Sequence, residues 1–332
     1  MHALRELNST KAHLHTEMQP QITWLCRGAG ERKTVHLVGL GDVGQNVAIG
    51  LALAGGEDIE SIGIFDLNEK MCRRMEMELG QIRSPMPEKR IPCVEILTPD
   101  NLFACDIFLF CATKTVPAIG SGVQDVRMAQ YEANAGIVSL YARQAAEEHF
   151  RGLFGVVSDP VDLLCAAAYR ASCEESSPLN PWQIQGFGLG VMNARAAYYA
   201  QRDPRFASYL TEGRAFGPHG QDLVIANSVQ QDHYDDRLSR ELTELTVKAN
   251  MAIRELGFKP YIAPAMSSAV LTLLSLIKGE WNYSAGLLNG IYFGARNRTT
   301  AHGLEFENIL LPDLLFERVE QAYRHLEALT WN

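Results

Sequence analysis

The 332-residue chain has no run of basic residues, no stretch of about eighteen consecutive apolar residues and no Cys-x-x-Cys pair. Each absence excludes a class of function. With a formal net charge of −9 and no basic cluster, the electrostatic footprint of a nucleic-acid binder is missing. Without a long apolar run, no membrane-spanning helix is expected. The opening residues, MHALRELNSTKAHLHTEMQPQ, lack the apolar core and small-residue cleavage site of a secretory leader, so a cytoplasmic location is expected. The cysteines (Cys26, Cys72, Cys93, Cys105, Cys111, Cys165 and Cys173) are scattered, and those inside apolar runs read as free buried thiols in a reducing compartment. No internal repeat and no low-complexity linker interrupts the chain, and no metal site is expected.

The composition that remains is that of an enzyme-sized globular chain. Hydrophobic residues make up 47% of it, enough to build a substantial core. Residues 1–33 read as a polar N-terminal extension: an arm, a helix packing on another subunit, or a disordered or cloning-derived terminus. From Thr34 a strand–turn–helix rhythm begins. TVHLVG, SIGIFD, CVEIL, DIFLFCA and GLFGVVS read as strands, with helices DVGQNVAIGLALAGG, NEKMCRRMEMELGQI and QYEANAGIVSLYARQAAEEHF between them. This alternation implies α/β architecture, a Rossmann-type doubly wound parallel sheet over 34–160. Beyond Pro160 the rhythm changes to a mixed α+β pattern, read as a catalytic domain over 161–332. Its helices include VDLLCAAAYRAS, a charged one near 236–256, APAMSSAVLTLLSLIKG and PDLLFERVEQAYRHLEAL, and it contains a turn-rich segment in which Arg296, Arg298 and His302 are expected to face solvent.

The first turn of the repeating part, GLGDVG, places Gly39, Gly41 and Gly44 in Gly-x-Gly-x-x-Gly spacing between a strand and a helix. In that context the first glycine serves a tight turn, the second admits a pyrophosphate and the third lets helix and strand pack closely. Asp42 and Val43 complete the loop, and the helix that follows offers unpaired N–H groups and a positive dipole end to phosphates. Asp66 ends the next strand, 22 residues after Gly44, where a carboxylate accepts hydrogen bonds from ribose hydroxyls and repels a 2′-phosphate. The expected cofactor is NAD.

Four further stretches follow in order: DVRMAQYEANAGIV, GVVSDPVDLL, GLGVMNAR and AFGPHGQD. With GLGDVG, they resemble the lactate/malate dehydrogenase family in order and spacing from about Thr34 to the C-terminus, most specifically between Gly39 and Asp222. The resemblance implies that His219 exchanges a proton with the substrate oxygen while a hydride moves between nicotinamide and the adjoining carbon. It implies that Arg195 holds the substrate carboxylate through paired hydrogen bonds and that Arg127, on a loop, closes over the site and polarises the carbonyl. A small 2-oxo or 2-hydroxy acid is the implied partner, and a homodimer or homotetramer the implied assembly.

Three residues depart from the family's pattern. The family has an aspartate three residues before the carboxylate-binding arginine, behind the histidine; here that position is Met192, whose thioether is uncharged and a weak acceptor. The family's pocket asparagine is here Asp159, which either partners His219 from another side or repels an anionic substrate and favours a cationic, amine-bearing one. Lys259, in GFKPYIAP, stands where the family faces the substrate side chain with a neutral residue, and reads either as a cation for a remote acidic group or as an exposed lysine. Ser121, about six residues before Arg127, selects neither lactate nor malate. Two functions from different classes follow: a dehydrogenase for a 2-hydroxy acid other than lactate or malate, and a catalytically impaired NAD-binding homologue with a sensor or structural role.

Overall fold

Strands in the first half are apolar on both faces, and the reason is visible in their neighbours. In the computed structural model, which describes residues 1–10, 31–86, 88–114 and 126–331 (126, 127 and 331 by backbone alone), β2 (Lys33–Val38), β5 (Ile107–Phe110) and β6 (Leu153–Val156) lie centrally in the sheet. Val35, Leu37, Val38, Phe108, Phe110 and Phe154 are all inaccessible to water, as expected for parallel strands covered by helices on both sides. Flanking them are β3 (Ile59–Phe65) and the edge strand β4 (Cys93–Ile96). The helices of this half are α1 (Asp42–Ala54), α2 (Glu69–Gly80) and α3 (Val126–Glu147).

After α4 (Val161–Ser172), β7 (Ile184–Gly186) pairs parallel with β6 and antiparallel, through Gly186 and Ala285, with β10 (Asn282–Leu288). A meander of β10, β11 (Ile291–Thr300) and β12 (Gly303–Phe306) extends the sheet, giving the order β12-β11-β10-β7-β6-β5-β2-β3-β4 among the described residues. The remaining elements are α5 (Leu189–Ala200), α6 (Tyr209–Glu212), a short pair β8 (Arg214–Phe216) and β9 (Val224–Ala226), α7 (Asp236–Glu255), α8 (Leu271–Ile277) and α9 (Asp313–Trp331). The core mixes both halves of the chain: Leu37, Val47 and Leu51 pack in one cluster with Phe187, Ala265, Val270 and Leu273.

Three expectations need correction. The Arg296–Arg298 tripeptide is not in a solvent-facing turn but in β11. Alternation along the strand buries Asn297 completely, its amide donating to Ser284 O at 2.9 Å, while Arg296 and Arg298 emerge on the other face over the Trp281 ring. A polar tripeptide thus reads as a turn although its middle residue is a satisfied core group. The first ten residues are not a loose terminus either. His2–Ala3 forms β1 against β13 (Leu310–Leu311), Leu4 and Leu7 are buried against α9, and Thr10 N donates to Glu327 at 2.6 Å. Residues 11–30, with Cys26, lie outside the described residues. Finally, the helix expected over 263–279 is split, with Pro264–Val270 π-helical before α8 begins.

Candidate active site at the C-terminal edge of the parallel sheet

The glycine turn leaves β2 at its C-terminal end. Gly39 adopts φ +93°, and a Cβ there would stand 2.5 Å from Ala112 Cα, so only glycine fits. A Cβ on Gly44 would lie 1.8 Å from Gly39 O, which is the close helix–strand contact expected of the third glycine. Gly41 differs: a Cβ there meets nothing within 4 Å. The space beside Gly41 is open, α1 begins at the next residue with no side chain capping it, and Val43 packs onto the core. Open room over an uncapped helix N-terminus is a geometry that suits a phosphate group. Asp66, at the end of β3, accepts from Leu40 N at 2.7 Å and from Asn68 N at 2.9 Å. Those two bonds fix the carboxylate beside the turn and leave it lone pairs for hydroxyl donors. The residues present therefore fit the ribose–pyrophosphate part of a dinucleotide.

From this turn a run of contacts leads across the sheet edge. Gly39 packs on Ala112, just after β5; Ala112 O accepts from Ser158 Oγ at 2.7 Å; and the next residue is Asp159. Asn134 of α3, only 1% exposed, donates to Asp159 O at 2.8 Å and accepts from Lys114 N at 3.0 Å. The backbone that carries Asp159 is thus held from two sides. Its carboxylate meets the imidazole of His219, Oδ1 to Nδ1 at 2.9 Å. His219 sits on the loop joining β8 and β9 between Gly217 and Gly220, both with positive φ, and its Cβ is packed on Gly188 at the start of α5. Ser268 ties that start down, accepting from Val191 N at 2.9 Å and donating to Gly188 O at 2.7 Å.

Arg195 lies on the second turn of α5. Burial pulls its guanidinium below the ordinary arginine value, and the nearby charge of Asp159 opposes that shift. It remains a cation at any working pH. Met192, one turn earlier, is 3% exposed in an apolar cluster with Leu189, Val191, Ala215 and Leu223, its sulfur 3.6 Å from Arg195 Nη1. The face of α5 behind the histidine loop is therefore packed and uncharged at this position. Arg195 and Asp42 border a groove of ≈ 990 Å³ whose walls are largely apolar, including Tyr198, Ile253, Phe258 and Ile262. Lys259 on its rim is exposed and pairs with Asp42 at 2.9 Å, answering the first residue of α1 rather than standing free over the pocket.

The structure brings His219 and Asp159 together and puts Arg195 within electrostatic reach of Asp159 and beside a groove shared with Asp42, while Asp66 lies beside the turn that carries Gly39, Gly41, Asp42, Val43 and Gly44. Arg127 falls in the first turn of α3 rather than on a preceding loop; its side chain, and the whole of Ser121, lie outside the described residues. His302 is exposed in the turn between β11 and β12. Asn134 and Ser268 escaped the sequence reading. The available signal for Asn134 was an amide among the apolar positions of a helix; for Ser268 there was none beyond a small residue between helices. The described cysteines are all free, and burial pushes the Cys111 and Cys165 thiols far up, which makes them unreactive packing groups. Among the described residues no cluster of three His, Cys, Asp or Glu could hold a metal ion, and no helix is long and apolar enough to cross a membrane.

No family model matches the chain. Individual relatives do. An L-lactate dehydrogenase from Treponema denticola is 28% identical over 199 residues, 60% of this chain, and the match spans 58% of that relative's length. A malate dehydrogenase from Aliarcobacter butzleri is 22% identical over 271 residues, 78% of this chain and 82% of the relative. Among solved structures, the ligand-bound minor L-lactate dehydrogenase from Enterococcus mundtii superposes with a TM-score of 0.72 at 18% identity, covering 90% of this chain and 98% of the other. Malate dehydrogenase from Archaeoglobus fulgidus in complex with NADH gives a TM-score of 0.69 at 17% identity, covering 90% and 98%. The chain therefore has lactate and malate dehydrogenases among its sequence relatives and shares their fold over nine-tenths of its length.

Proposed function

We propose that the protein is an NAD-dependent oxidoreductase that interconverts a 2-hydroxy acid and the corresponding 2-oxo acid. The observation that carries this reading is the pairing of His219 with Asp159, whose charge also acts on the buried Arg195, a short chain of contacts away from the glycine turn. Gly39, Gly41 and Gly44, with Asp42 and Val43, hold the pyrophosphate, and Asp66 holds the adenine ribose. Bound NADH supplies the hydride that the carbonyl carbon receives. His219 gives its proton to the carbonyl oxygen and recovers one in the reverse direction, a contribution worth roughly 10²–10⁴ in rate. Arg195 grips the substrate carboxylate through two parallel hydrogen bonds, strengthened by its withdrawal from water. Arg127, in the first turn of α3, serves as the cation that polarises the carbonyl.

Two features support a substrate other than lactate or malate. The groove beyond Arg195 is broad and mainly apolar, with room for a side chain longer than a methyl group. Lys259, an exposed cation on the groove, is engaged with Asp42 and is not presented to a second substrate carboxylate. The test is NADH oxidation by purified protein over a panel of 2-oxo acids with methyl, carboxymethyl, branched and aromatic side chains. Turnover no greater than that of a His219→Ala control across the panel removes the proposal. One observation favours a second reading, a nucleotide-binding homologue that has lost catalysis: the family's histidine-backing aspartate is a buried methionine. Micromolar NADH binding with no turnover selects it. Assembly as a dimer or tetramer, which the family resemblance suggests, is checked by light scattering of the purified chain.

A further inference from the structure

We propose that Asp159 has taken over the histidine-orienting role that Met192 cannot perform, so that the acid supporting His219 comes from the end of β6 instead of from α5. This rests on the dehydrogenase reading above for its kinetic consequence, but not for its structural one.

The argument is chemical. A histidine that exchanges a proton with a substrate oxygen needs one ring nitrogen held in a defined state so that the other is free to react. A carboxylate only accepts, so with Asp159 Oδ1 at 2.9 Å from Nδ1, that nitrogen carries the hydrogen and Nε2 is left for the substrate. The imidazolium formed during turnover gains an anion at hydrogen-bonding distance. Asp159 is placed to do this reproducibly, because Asn134 holds its carbonyl and Ser158 anchors the preceding residue to Ala112. The alternative source is closed: Met192 is buried in an apolar cluster and its sulfur turns toward Arg195. Among the described residues the charged group paired with His219 is Asp159, whose charge Arg195 of α5 senses in turn. With 43% of its side chain exposed, Asp159 is not a sealed ion pair and stays hydrated at the mouth of the site. Asp159 is thus a positioning residue, acting through His219.

The experiment pairs kinetics with nitrogen NMR on full-length protein labelled at histidine. Asp159→Asn keeps the shape but lets either ring nitrogen be donor. In wild type the His219 signals should show the Nδ1–H tautomer; in Asp159→Asn that tautomer should lose its dominance, and Asp159→Glu should restore it in part. With the best 2-oxo acid of the panel, Asp159→Asn should lower kcat by roughly 10²–10⁴-fold while KM stays level or falls, since an anion beside Arg195 has been removed. A wild-type Nε2–H tautomer overturns the proposal, as does an Asp159→Asn variant with unchanged or increased kcat, the result expected if the carboxylate merely repels substrate. If the wild type turns over nothing, the function is wrong and the tautomer measurement still decides whether Asp159 orients His219.

Discussion

The two ends of the site follow different rules. At the cofactor end each residue does what its local pattern announces: Gly39 turns, Gly44 packs, Gly41 leaves room, Asp66 fixes the turn from the next strand. At the substrate end the residue types are rearranged, with an acid where an amide was expected and a thioether where an acid was expected, and the histidine is reached by a carboxylate 60 positions away. The difference teaches that backbone-determined sites tolerate little, because a Cβ added at Gly39 or Gly44 would stand 1.8–2.5 Å from backbone atoms, whereas a charge can be supplied from any element that reaches the same point.

The widest separation of the two ends should come from His219→Ala. Turnover is expected to fall about 10²–10⁴-fold with NADH affinity unchanged, measured by steady-state kinetics and fluorescence titration. Next, the glycines divide the cofactor end itself. Gly44→Ala should cost about 1–3 kcal/mol of stability or more as well as NADH binding. Gly41→Ala, which clashes with nothing among the described residues, should keep the wild-type melting temperature and weaken NADH binding by at least about tenfold. Equal loss of stability in both would break the distinction. At the other end, Arg195→Lys replaces a planar fork by a point charge, and KM for the 2-oxo acid is expected to rise about 10–100-fold with a smaller change in kcat.

A charge cluster with no proposed part in the chemistry gives a control. Burial pushes the Glu307 carboxyl up, but Arg214 at 2.6 Å and Arg296 outweigh it and hold it below its ordinary value of 4.5. A carboxyl so depressed adds stability that is fully present above about pH 4.5 and is lost as pH falls through the lower folded value. Glu307→Gln should therefore cost on the order of 2 kcal/mol at pH 7, and much less near pH 3, by denaturant titration at both pH values. The smallest effect belongs to Lys259→Ala: its partner Asp42 is exposed, and the melting temperature should not move measurably. A large change in NADH affinity instead would show that this pair shapes the cofactor end.

The first half of the fold was legible because its signals are local. Short apolar runs, glycine turns and helical periods each lie within a few residues, and β2 through β6 follow from them. The β10–β12 meander was not legible, since Asn282, Ser284 and Asn297 satisfy one another inside the sheet and their polarity mimics a loop. Likewise His219, Arg195 and Asp159 could be named from their motifs, but the choice between partner and repellent for Asp159 depended on two side chains, far apart in sequence, brought to 2.9 Å from one another. Asn134 owes its part wholly to the packing of α3 beside the ends of β5 and β6, which no residue of α3 encodes by itself.

Because Gly186 and Ala285 join the antiparallel meander to the parallel strands, the ladder runs unbroken beneath both the nucleotide cradle and the histidine loop. Such a frame has no seam along which to yield. Heat should therefore dismantle both ends in a single calorimetric transition, and a second, earlier peak would mean that the ladder gives way at that junction.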